Sequence, residues 1–173
     1  MNTLILGGVR SGKSRLAEQL AIDSRLAVTY IATATAQDDE MRARINSHCQ
    51  QRPQHWQLIE EPIHLAAVLQ AQAGGSQCLL VDCLTLWLTN LLMTEDEALF
   101  QREREALITV LPSINSELIL VSNETNMGVM PLGKLTRRYC DEAGRLHQDI
   151  AQRCERVVMT VAGLPQILKG QPF

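Results

Sequence analysis

An eight-residue stretch near the start of the chain has the spacing of a phosphate-binding loop. Gly7-Gly8-Val9-Arg10-Ser11-Gly12-Lys13-Ser14 fits the pattern G-x-x-x-x-G-K-[ST]. The glycines let the loop curl so that backbone N–H groups point at phosphate oxygens, and the following helix N-terminus adds partial positive charge. Lys13 supplies a cation for the β- and γ-phosphates, and the Ser14 hydroxyl can bind Mg²⁺. The stretch therefore predicts binding of a nucleoside triphosphate.

Asp82 is a second residue with the right setting for this chemistry. It follows the apolar run Cys78–Val81, and an apolar strand that ends in a carboxylate is the Walker B pattern. We expect Asp82 to lie beside the P-loop and to hold Mg²⁺ together with Ser14.

His48 is the candidate nucleophile. Arg44 lies one helical turn before it and Arg52 one turn after it. A neutral imidazole attacks phosphorus well, and flanking guanidinium groups neutralise charge on a triphosphate. From the residues alone a structural histidine is the commoner case, so both interpretations stay open at this point.

Strands and helices alternate along the chain, which predicts the elements that position these residues. The pattern favours an α/β fold, a mainly parallel sheet with helices on both faces, in one domain over residues 1–173. The predicted strands are Thr3–Leu6, Val28–Ala32, Trp56–Ile59, Cys78–Val81, Glu117–Ser122 and Val157–Val161. The predicted helices are Lys13–Asp23, Asp38–Gln51, Ile63–Ala73, Leu84–Leu92, Asp96–Leu111 and Leu135–Cys154.

Four further segments have specific expectations. Residues 33–36 lie at the carboxyl end of a strand, where open sheets bind ligands, so they are either a loop of small residues or a nucleotide contact. The apolar run Leu84–Leu92 is a buried helix or an oligomer contact. The polar loop from Asn123 to Gly133 is a lid or a second-substrate site. The tail from Leu164 to Phe173 is expected to be irregular.

Composition narrows the class of protein. The 173 residues have a net charge of −3, which argues against a nucleic-acid partner. Five cysteines show no zinc-binding spacing, and no apolar run approaches a membrane span. Because the P-loop begins almost at once, we expect no targeting segment. We expect a cytoplasmic protein with reduced, structural thiols.

Seven segments resemble one known family, in order and over nearly the whole chain. They are Gly7–Arg15, Tyr30–Ala34, Asp38–His48, Arg52–Trp56, Val81–Leu91, Ser122–Glu124 and Ala143–Leu146. On these segments the chain resembles the bifunctional adenosylcobinamide kinase/adenosylcobinamide-phosphate guanylyltransferase family of cobalamin biosynthesis, whose members have a RecA-like P-loop NTPase fold. The first half is the more specific, because few other P-loop proteins carry D-D-E-M-x-x-R-I-x-x-H after the glycine loop.

The resemblance implies two reactions and a set of partners. The first moves a γ-phosphoryl group from ATP or GTP to the aminopropanol hydroxyl of adenosylcobinamide. The second forms a GMP-histidine intermediate from GTP, expels pyrophosphate and transfers GMP to adenosylcobinamide phosphate, giving adenosylcobinamide-GDP. The substrates are therefore small molecules, the cofactor is Mg²⁺, and the family assembles as homotrimers.

The resemblance also implies the residues of the site. His48 is the guanylylated residue, and Ser14 and Asp82 bind the metal. The nucleotide-binding residues are Gly8, Val9, Arg10, Ser11, Gly12, Lys13, Ser14, Arg15, Ala34, Thr35, Ala36, Cys49, Gln50, Gln51, Arg52, Glu60 and Asp82.

The chain departs from the family in two places. Thr125–Pro131 reads T-N-M-G-V-M-P where the family usually has V-G-x-G-I-V-P, and His147 stands where the family usually has Asn. Both fall in the part assigned to corrinoid binding or lid motion. The competing hypotheses are a small-molecule kinase without nucleotidyl transfer, and a regulatory nucleotide-binding module; covalent labelling by GTP would separate them from the family activity.

Overall fold

One seven-stranded sheet organises the residues that the computed structural model describes, which are 1–35 and 53–172. Its strands are β1 (Asn2–Gly7), β2 (Ala27–Ala32), β3 (Gln57–Glu60), β4 (Gln77–Asp82), β5 (Glu117–Asn123), β6 (Arg156–Val161) and β7 (Leu164–Lys169). The strand order is β3-β2-β4-β5-β1-β6-β7, and all neighbours are parallel except β6 and β7. The carboxyl ends of the first six strands therefore meet at one edge of the sheet.

Five α-helices connect the described strands. They are α1 (Lys13–Asp23), α2 (Leu65–Gln72), α3 (Leu84–Met93), α4 (Glu97–Val110) and α5 (Lys134–Arg153), with a short 3₁₀ helix at Leu111–Ser113. Side-chain hydrogen bonds lie at or just before two of the starts. Asp96 accepts a hydrogen bond from the Leu99 N–H at the start of α4, and the Glu61 carboxylate accepts from the N–H groups of Ile63 and His64 just before α2.

The helices cover both faces of the sheet. Helix α1 packs through Ala17 and Ala21 on one face, against residues such as Ile5 and Val121. Helices α2 to α5 pack on the other face in a larger aliphatic cluster. The prediction of a mainly parallel sheet with helices on both faces is confirmed for the described residues.

Helix α3 resolves one of the alternatives left by the sequence. Leu84, Trp87, Leu88, Leu91 and Leu92 are all buried within the chain itself, at 5% exposure or less. The Trp87 indole N–H donates to the Ile63 carbonyl oxygen, which fixes the helix against the segment before α2. The apolar run is a largely buried helix, with Thr85, Leu86 and Thr89 half-buried, and its buried leucines and Trp87 are used inside the chain.

The prediction of an irregular tail is wrong. Residues Leu164–Lys169 form β7, which pairs antiparallel with β6 through a two-residue turn at Ala162 and Gly163. Both turn residues have positive φ, 53° and 80°, as a type I′ hairpin requires. The strand gave no sequence signal because it lies at the sheet edge with nearly all its side chains exposed, so it lacks an apolar alternation, and Pro165 is tolerated there.

The remaining predicted elements agree with the structure to within two residues at each end, apart from the helix predicted over Asp38–Gln51, which lies outside the described residues. Across the described ranges, none of the helices combines the length and apolar character that a membrane crossing requires.

Candidate active site

The P-loop joins the carboxyl end of β1 to the start of α1. Gly12 adopts a left-handed conformation, with φ of 99°, immediately before the helix begins at Lys13. The Ser11 N–H donates to the Gly8 carbonyl oxygen, and the Lys13 ammonium donates to the same oxygen at 2.7 Å. The loop therefore curls around its own lysine at the N-terminus of a helix, as the sequence motif predicts.

The turn between β6 and β7 packs directly on this loop, a contact that sequence reasoning missed. The Gly163 N–H donates to the Ser11 carbonyl oxygen at 2.9 Å, and the Ser11 and Thr160 hydroxyl groups are 2.8 Å apart. A side chain at Gly7 would meet Thr160 Oγ1 at 2.3 Å, and one at Gly12 would meet the Gly163 Cα at 3.1 Å. The two glycines are thus required by the close approach of β6 and its turn.

The Lys13 ammonium lies in a largely buried setting. Burial lowers the pKa of Lys13 from its usual value, and the neighbouring Cys83 and Asp82 oppose that effect. The Cys83 thiol stays protonated at neutral pH, because its own burial and the adjacent Asp82 raise its pKa to about 11. Asp82 is therefore close enough to Lys13 for its charge to be felt, which brings the two predicted phosphate-site residues together.

Asp82 ends β4, and β5 lies between β4 and the P-loop strand β1. The Tyr30 hydroxyl donates to Asp82 Oδ2 at 2.7 Å, which orients the carboxylate from the neighbouring strand. The peptide bond that follows, Asp82–Cys83, is cis. A carboxylate oxygen and the Ser14 hydroxyl oxygen are the hard donors that Mg²⁺ takes beside phosphate and water, so the residues present fit this metal.

The loop after β2 is held by Asn90 of α3, a buried residue that the sequence did not single out. Asn90 Nδ2 donates to the carbonyl oxygens of Thr33 and Pro62, at 2.8 and 3.2 Å, and Asn90 Oδ1 accepts from the Thr35 hydroxyl at 3.2 Å. One amide thus fixes the loops after β2 and β3. Ala34 and Thr35 follow β2 directly and lie at the sheet edge where the sequence predicted nucleotide contacts.

Glu60 is not brought to the P-loop. It is the exposed last residue of β3, the edge strand, and three strands separate β3 from β1. At about 4.8 Å per strand, this places Glu60 roughly 19 Å from the phosphate-binding loop across the sheet. Any nucleotide contact from Glu60 would therefore be with a part of the nucleotide far from the P-loop.

The first residue of loop 124–133 lies beside the P-loop. The Glu124 N–H donates to the Gly7 carbonyl oxygen at 2.9 Å. Behind it, the buried His147 has Nε2 at 2.8 Å from the Ser122 hydroxyl and Nδ1 at 3.7 Å from Glu124 Oε2. Burial lowers the pKa of His147, and Glu124 opposes the shift, so the ring is neutral at pH 7.

Three further charged or titratable residues, Arg137, Arg138 and His64, bond to neighbouring groups elsewhere in the structure. Arg138 pairs with Glu97 and lies 5.2 Å from the centre of the Phe100 ring. Arg137 donates to the carbonyl oxygens of Pro131 and Leu132. His64 Nδ1 lies 3.0 Å from the buried Glu103 carboxylate.

Part of the predicted site lies outside the described residues: Ala36, His48, Cys49, Gln50, Gln51 and Arg52. Among the described cysteines, Cys78, Cys83, Cys140 and Cys154 are all free thiols, as expected.

Comparison with solved structures supports the fold. The RadB recombinase matches with a TM-score of 0.54 at 18% identity, covering 91% of this chain and 72% of that chain. A Pyrococcus horikoshii protein, PH0250, matches with a TM-score of 0.58 at 9% identity, covering 99% and 87%. The chain therefore has the α/β P-loop fold of the RecA-like class.

Comparison with curated proteins and families is more specific. The chain is 62% identical over 173 residues, with full coverage of both sequences, to the "bifunctional adenosylcobalamin biosynthesis protein CobP" of Pseudomonas aeruginosa. It is 38% identical to the "bifunctional adenosylcobalamin biosynthesis protein CobU" of Escherichia coli, covering 95% and 97%. The family model described as "cobinamide kinase / cobinamide phosphate guanyltransferase" matches residues 3–168. With its P-loop, Asp82 and RecA-like sheet in place, the chain belongs to the cobinamide kinase / cobinamide phosphate guanyltransferase family.

Proposed function

We propose that the chain performs the two reactions of its family with the P-loop as the triphosphate site and His48 as the residue that carries GMP. The chain is an adenosylcobinamide kinase and adenosylcobinamide-phosphate guanylyltransferase. It must therefore handle the γ-phosphorus of ATP or GTP in one step and the α-phosphorus of GTP in the other. The observation that carries the proposal is the curled P-loop, whose Lys13 ammonium bonds the Gly8 carbonyl oxygen and lies near Asp82.

The P-loop supplies binding and charge neutralisation in both steps. Backbone N–H groups of Gly8–Arg15 and the helix N-terminus face the phosphates, and the Lys13 ammonium follows the charge as it develops on the leaving oxygen. Mg²⁺, held by Ser14 and Asp82, would neutralise charge shared between phosphate oxygens. The remaining proposed nucleotide contacts are Ala34, Thr35, Ala36, Cys49, Gln50, Gln51, Arg52 and Glu60.

The kinase step is a transfer between two oxygens. The aminopropanol hydroxyl oxygen of adenosylcobinamide attacks the γ-phosphorus, the bond to the β,γ-bridging oxygen breaks, and the nucleoside diphosphate leaves. The hydroxyl proton passes to solvent. What the chain contributes is the alignment of the phosphoryl group and the stabilisation of its leaving oxygen by Lys13.

The guanylyl step passes through the enzyme. A neutral ring nitrogen of His48 attacks the α-phosphorus of GTP and expels pyrophosphate, giving a phosphoramidate. A phosphate oxygen of adenosylcobinamide phosphate then attacks the same phosphorus, forms adenosylcobinamide-GDP and returns the electron pair to the histidine. Resemblance over Asp38–His48 supports this assignment.

Three further features belong to the proposal. Residues 1–173 act as one catalytic domain, the active assembly is a homotrimer, and the enzyme works in the cytoplasm. The cytoplasm supplies ATP and GTP and keeps thiols reduced, which suits the free cysteines of the described residues.

The experiment that tests the proposal is labelling with α-³²P-GTP and Mg²⁺, followed by a denaturing gel. The wild type is expected to acquire an acid-labile, alkali-stable label, and His48→Ala is expected to acquire none while it still phosphorylates adenosylcobinamide. His55→Ala is the control, because His55 is exposed and lies outside the proposed site. A wild type that binds GTP without becoming labelled would leave only a kinase or a nucleotide switch.

A further inference from the structure

A cavity of about 410 Å³ lies between loop 124–133 and helix α5, outside the P-loop site. Its lining includes Asn126, Met130, Asp141, Gly144, Arg145 and Gln148. None of these residues has a part in the nucleotide chemistry described above. The cavity is therefore separate from the proposed nucleotide contacts.

The cavity adjoins the phosphate site through the backbone. Loop 124–133 follows β5, whose last residue Asn123 pairs in register with Gly7 at the end of β1. The Glu124 N–H is bonded to the Gly7 carbonyl oxygen, and the Asn123 N–H is bonded to the Thr85 hydroxyl at 2.8 Å. The first residues of the loop are thus fixed beside the P-loop, and the cavity opens from there along α5.

Both ends of the loop are tied to α5, which gives the cavity a defined wall. Near its start, Asn126 Nδ2 donates to the Cys140 carbonyl oxygen at 3.1 Å. Near its end, Arg137 donates to the Pro131 carbonyl oxygen at 3.3 Å. A side chain at Gly144 would meet Asn126 Nδ2 at 3.0 Å, so a glycine in α5 is what lets the loop approach the helix.

The loop between these ties presents apolar side chains to solvent. Val129 is 98% exposed, Leu132 96%, Met127 81% and Met130 56%. Four large apolar residues in one short loop form a patch of the kind that marks a binding surface. Methionines in particular adapt to irregular apolar partners.

The opposite wall of the cavity, formed by α5, carries polar side chains that can hydrogen-bond a ligand. Asp141 and Gln148 project from α5 at exposed positions, and neither side chain makes a hydrogen bond within the described part of the chain. Asp141 accepts, whereas Gln148 both donates and accepts. A ligand with a broad apolar face and primary amides at its rim would match both walls.

We infer that this cavity binds the corrinoid acceptor, adenosylcobinamide or its phosphate. A corrin ring is a broad, largely apolar disc rimmed by amide side chains, so one edge of the disc fills the cavity, its face covers Val129 and Met130, and its rim amides bond Asp141 and Gln148. The arm that carries the reacting hydroxyl then extends past Glu124 toward the P-loop. The inference rests on the proposed function, since it assigns the second substrate of that site.

Two variants test the assignment. Val129→Asp places a charge on the apolar wall, and Asp141→Ala/Gln148→Ala removes the polar partners; each is expected to raise the KM for adenosylcobinamide in the kinase assay at least tenfold. The KM for the nucleotide is expected to stay within twofold of wild type. Equilibrium dialysis of the coloured ligand cobinamide should show the same loss of affinity without any turnover. Ile22→Asp is the control, because Ile22 is a 49% exposed apolar residue on α1, away from this cavity.

The GTP-labelling reaction separates the possible failures, because guanylylation needs the nucleotide site but no corrinoid. Normal labelling of a variant together with an unchanged KM for adenosylcobinamide would overturn the assignment. Parallel loss of labelling and of corrinoid use would also overturn it, since the loop would then serve the nucleotide or the fold. A variant with a lower oligomer mass and unchanged cobinamide binding would also overturn the assignment. It would show that this surface contacts a second copy of the chain. An unlabelled wild type would instead count against the proposed function itself.

Discussion

The buried charge of Lys13 is expected to serve catalysis and to contribute nothing to the stability of the fold. Its lowered pKa means that the folded chain disfavours the ammonium form relative to water. Replacing it by methionine keeps the apolar stem and removes the desolvation penalty. We expect Lys13→Met to lose at least about 100-fold in kcat of the kinase step, as removal of one transition-state donor does. Thermal unfolding should show a melting temperature no lower than wild type, and a clear fall would mean that Lys13 holds the loop together.

His147 gives the folded chain a pH-dependent stability. Its pKa is lowered below the usual 6.5, mainly by burial, and the groups that face it are the Ser122 hydroxyl and the Glu124 carboxylate. Below pH 6.5 the unfolded histidine takes up a proton while the folded one stays neutral, so acid favours unfolding. The free energy of unfolding should fall by up to about 1.4 kcal/mol per pH unit below 6.5, until the folded ring also protonates.

The variant His147→Asn removes this titration and is the matched comparison. Urea unfolding at several values between pH 5 and pH 7.5 should show a shallower acid slope for the variant than for wild type. Equal slopes in the two proteins would mean that burial of His147 does not govern acid stability.

At the residue scale, the sequence predicts what depends on local spacing and misses what depends on contacts distant in the chain. Gly8 to Arg15 could be assigned because loop, lysine and helix start are consecutive. Asn90 gave no signal, because its partners Thr33 and Pro62 lie 57 and 28 residues away. Tyr30 was missed for the same reason, since its hydroxyl meets Asp82 across 52 residues.

At the scale of elements, helix α3 acts as a clamp on two loops through Asn90. Asn90→Asp keeps the shape of the side chain but replaces the donating amide by an acceptor that faces two carbonyl oxygens. We expect a loss of about 2–4 kcal/mol in the free energy of unfolding, because buried carbonyls lose their donor and a charge is buried without a partner. The Kd for GTP should also rise, since the clamp holds the loop that carries Ala34 and Thr35. Urea unfolding and GTP titration check the two effects, and an unchanged Kd would contradict the role given to this loop.

The turn between β6 and β7 also supports the site, because its Gly163 N–H bonds the Ser11 carbonyl oxygen of the P-loop. Gly163 has φ of 80°, and a side chain there would meet Arg15 at 3.3 Å, whereas Gly75 has φ of 102° and open space around it. Valine at either position should lower the free energy of unfolding by about 1–3 kcal/mol through backbone strain. Only Gly163→Val is expected to weaken GTP binding, by at least threefold. Equal GTP affinity for both variants would mean that the turn does not position the P-loop.

Element boundaries were predictable wherever an apolar run or a helical period marked them. Strand β7 was not, because an exposed edge strand has no face to bury and its hairpin turn uses Ala-Gly in place of the usual Asn-Gly signal. The start of α2 was placed two residues early for a different reason. The chain bends at residues 62 and 63, where the Glu61 carboxylate accepts from the N–H groups of Ile63 and His64 ahead of the helix.

At the scale of the whole molecule, the alternation of strands and helices was enough to predict the fold class, but it does not determine the strand order. The order matters for the site, because β5 lies between β1 and β4 and the loop that follows it begins beside the P-loop, where the Glu124 N–H bonds the Gly7 carbonyl oxygen. Only the structure brings loop 124–133 into that position.

The proposed homotrimer is a whole-molecule prediction. Analytical ultracentrifugation at micromolar concentration should give a mass about three times that of the 19.3 kDa chain. Since the side chains of α3 are used inside the chain, Leu88→Ala should destabilise the subunit by about 2–5 kcal/mol without selectively splitting the trimer. A monomer with unchanged stability would reverse that expectation.

The position of β2 and β3 at one margin of the sheet has a consequence for how the two activities can be separated. The strands that carry the phosphate loop and Asp82 lie in the middle of the sheet. The segment bearing His48 connects the two outermost parallel strands, where insertion or exchange disturbs little of the common architecture. With His48 as the proposed GMP carrier, guanylyl transfer depends on a segment at the margin of the sheet, and we expect a chain altered in that segment to keep its kinase activity.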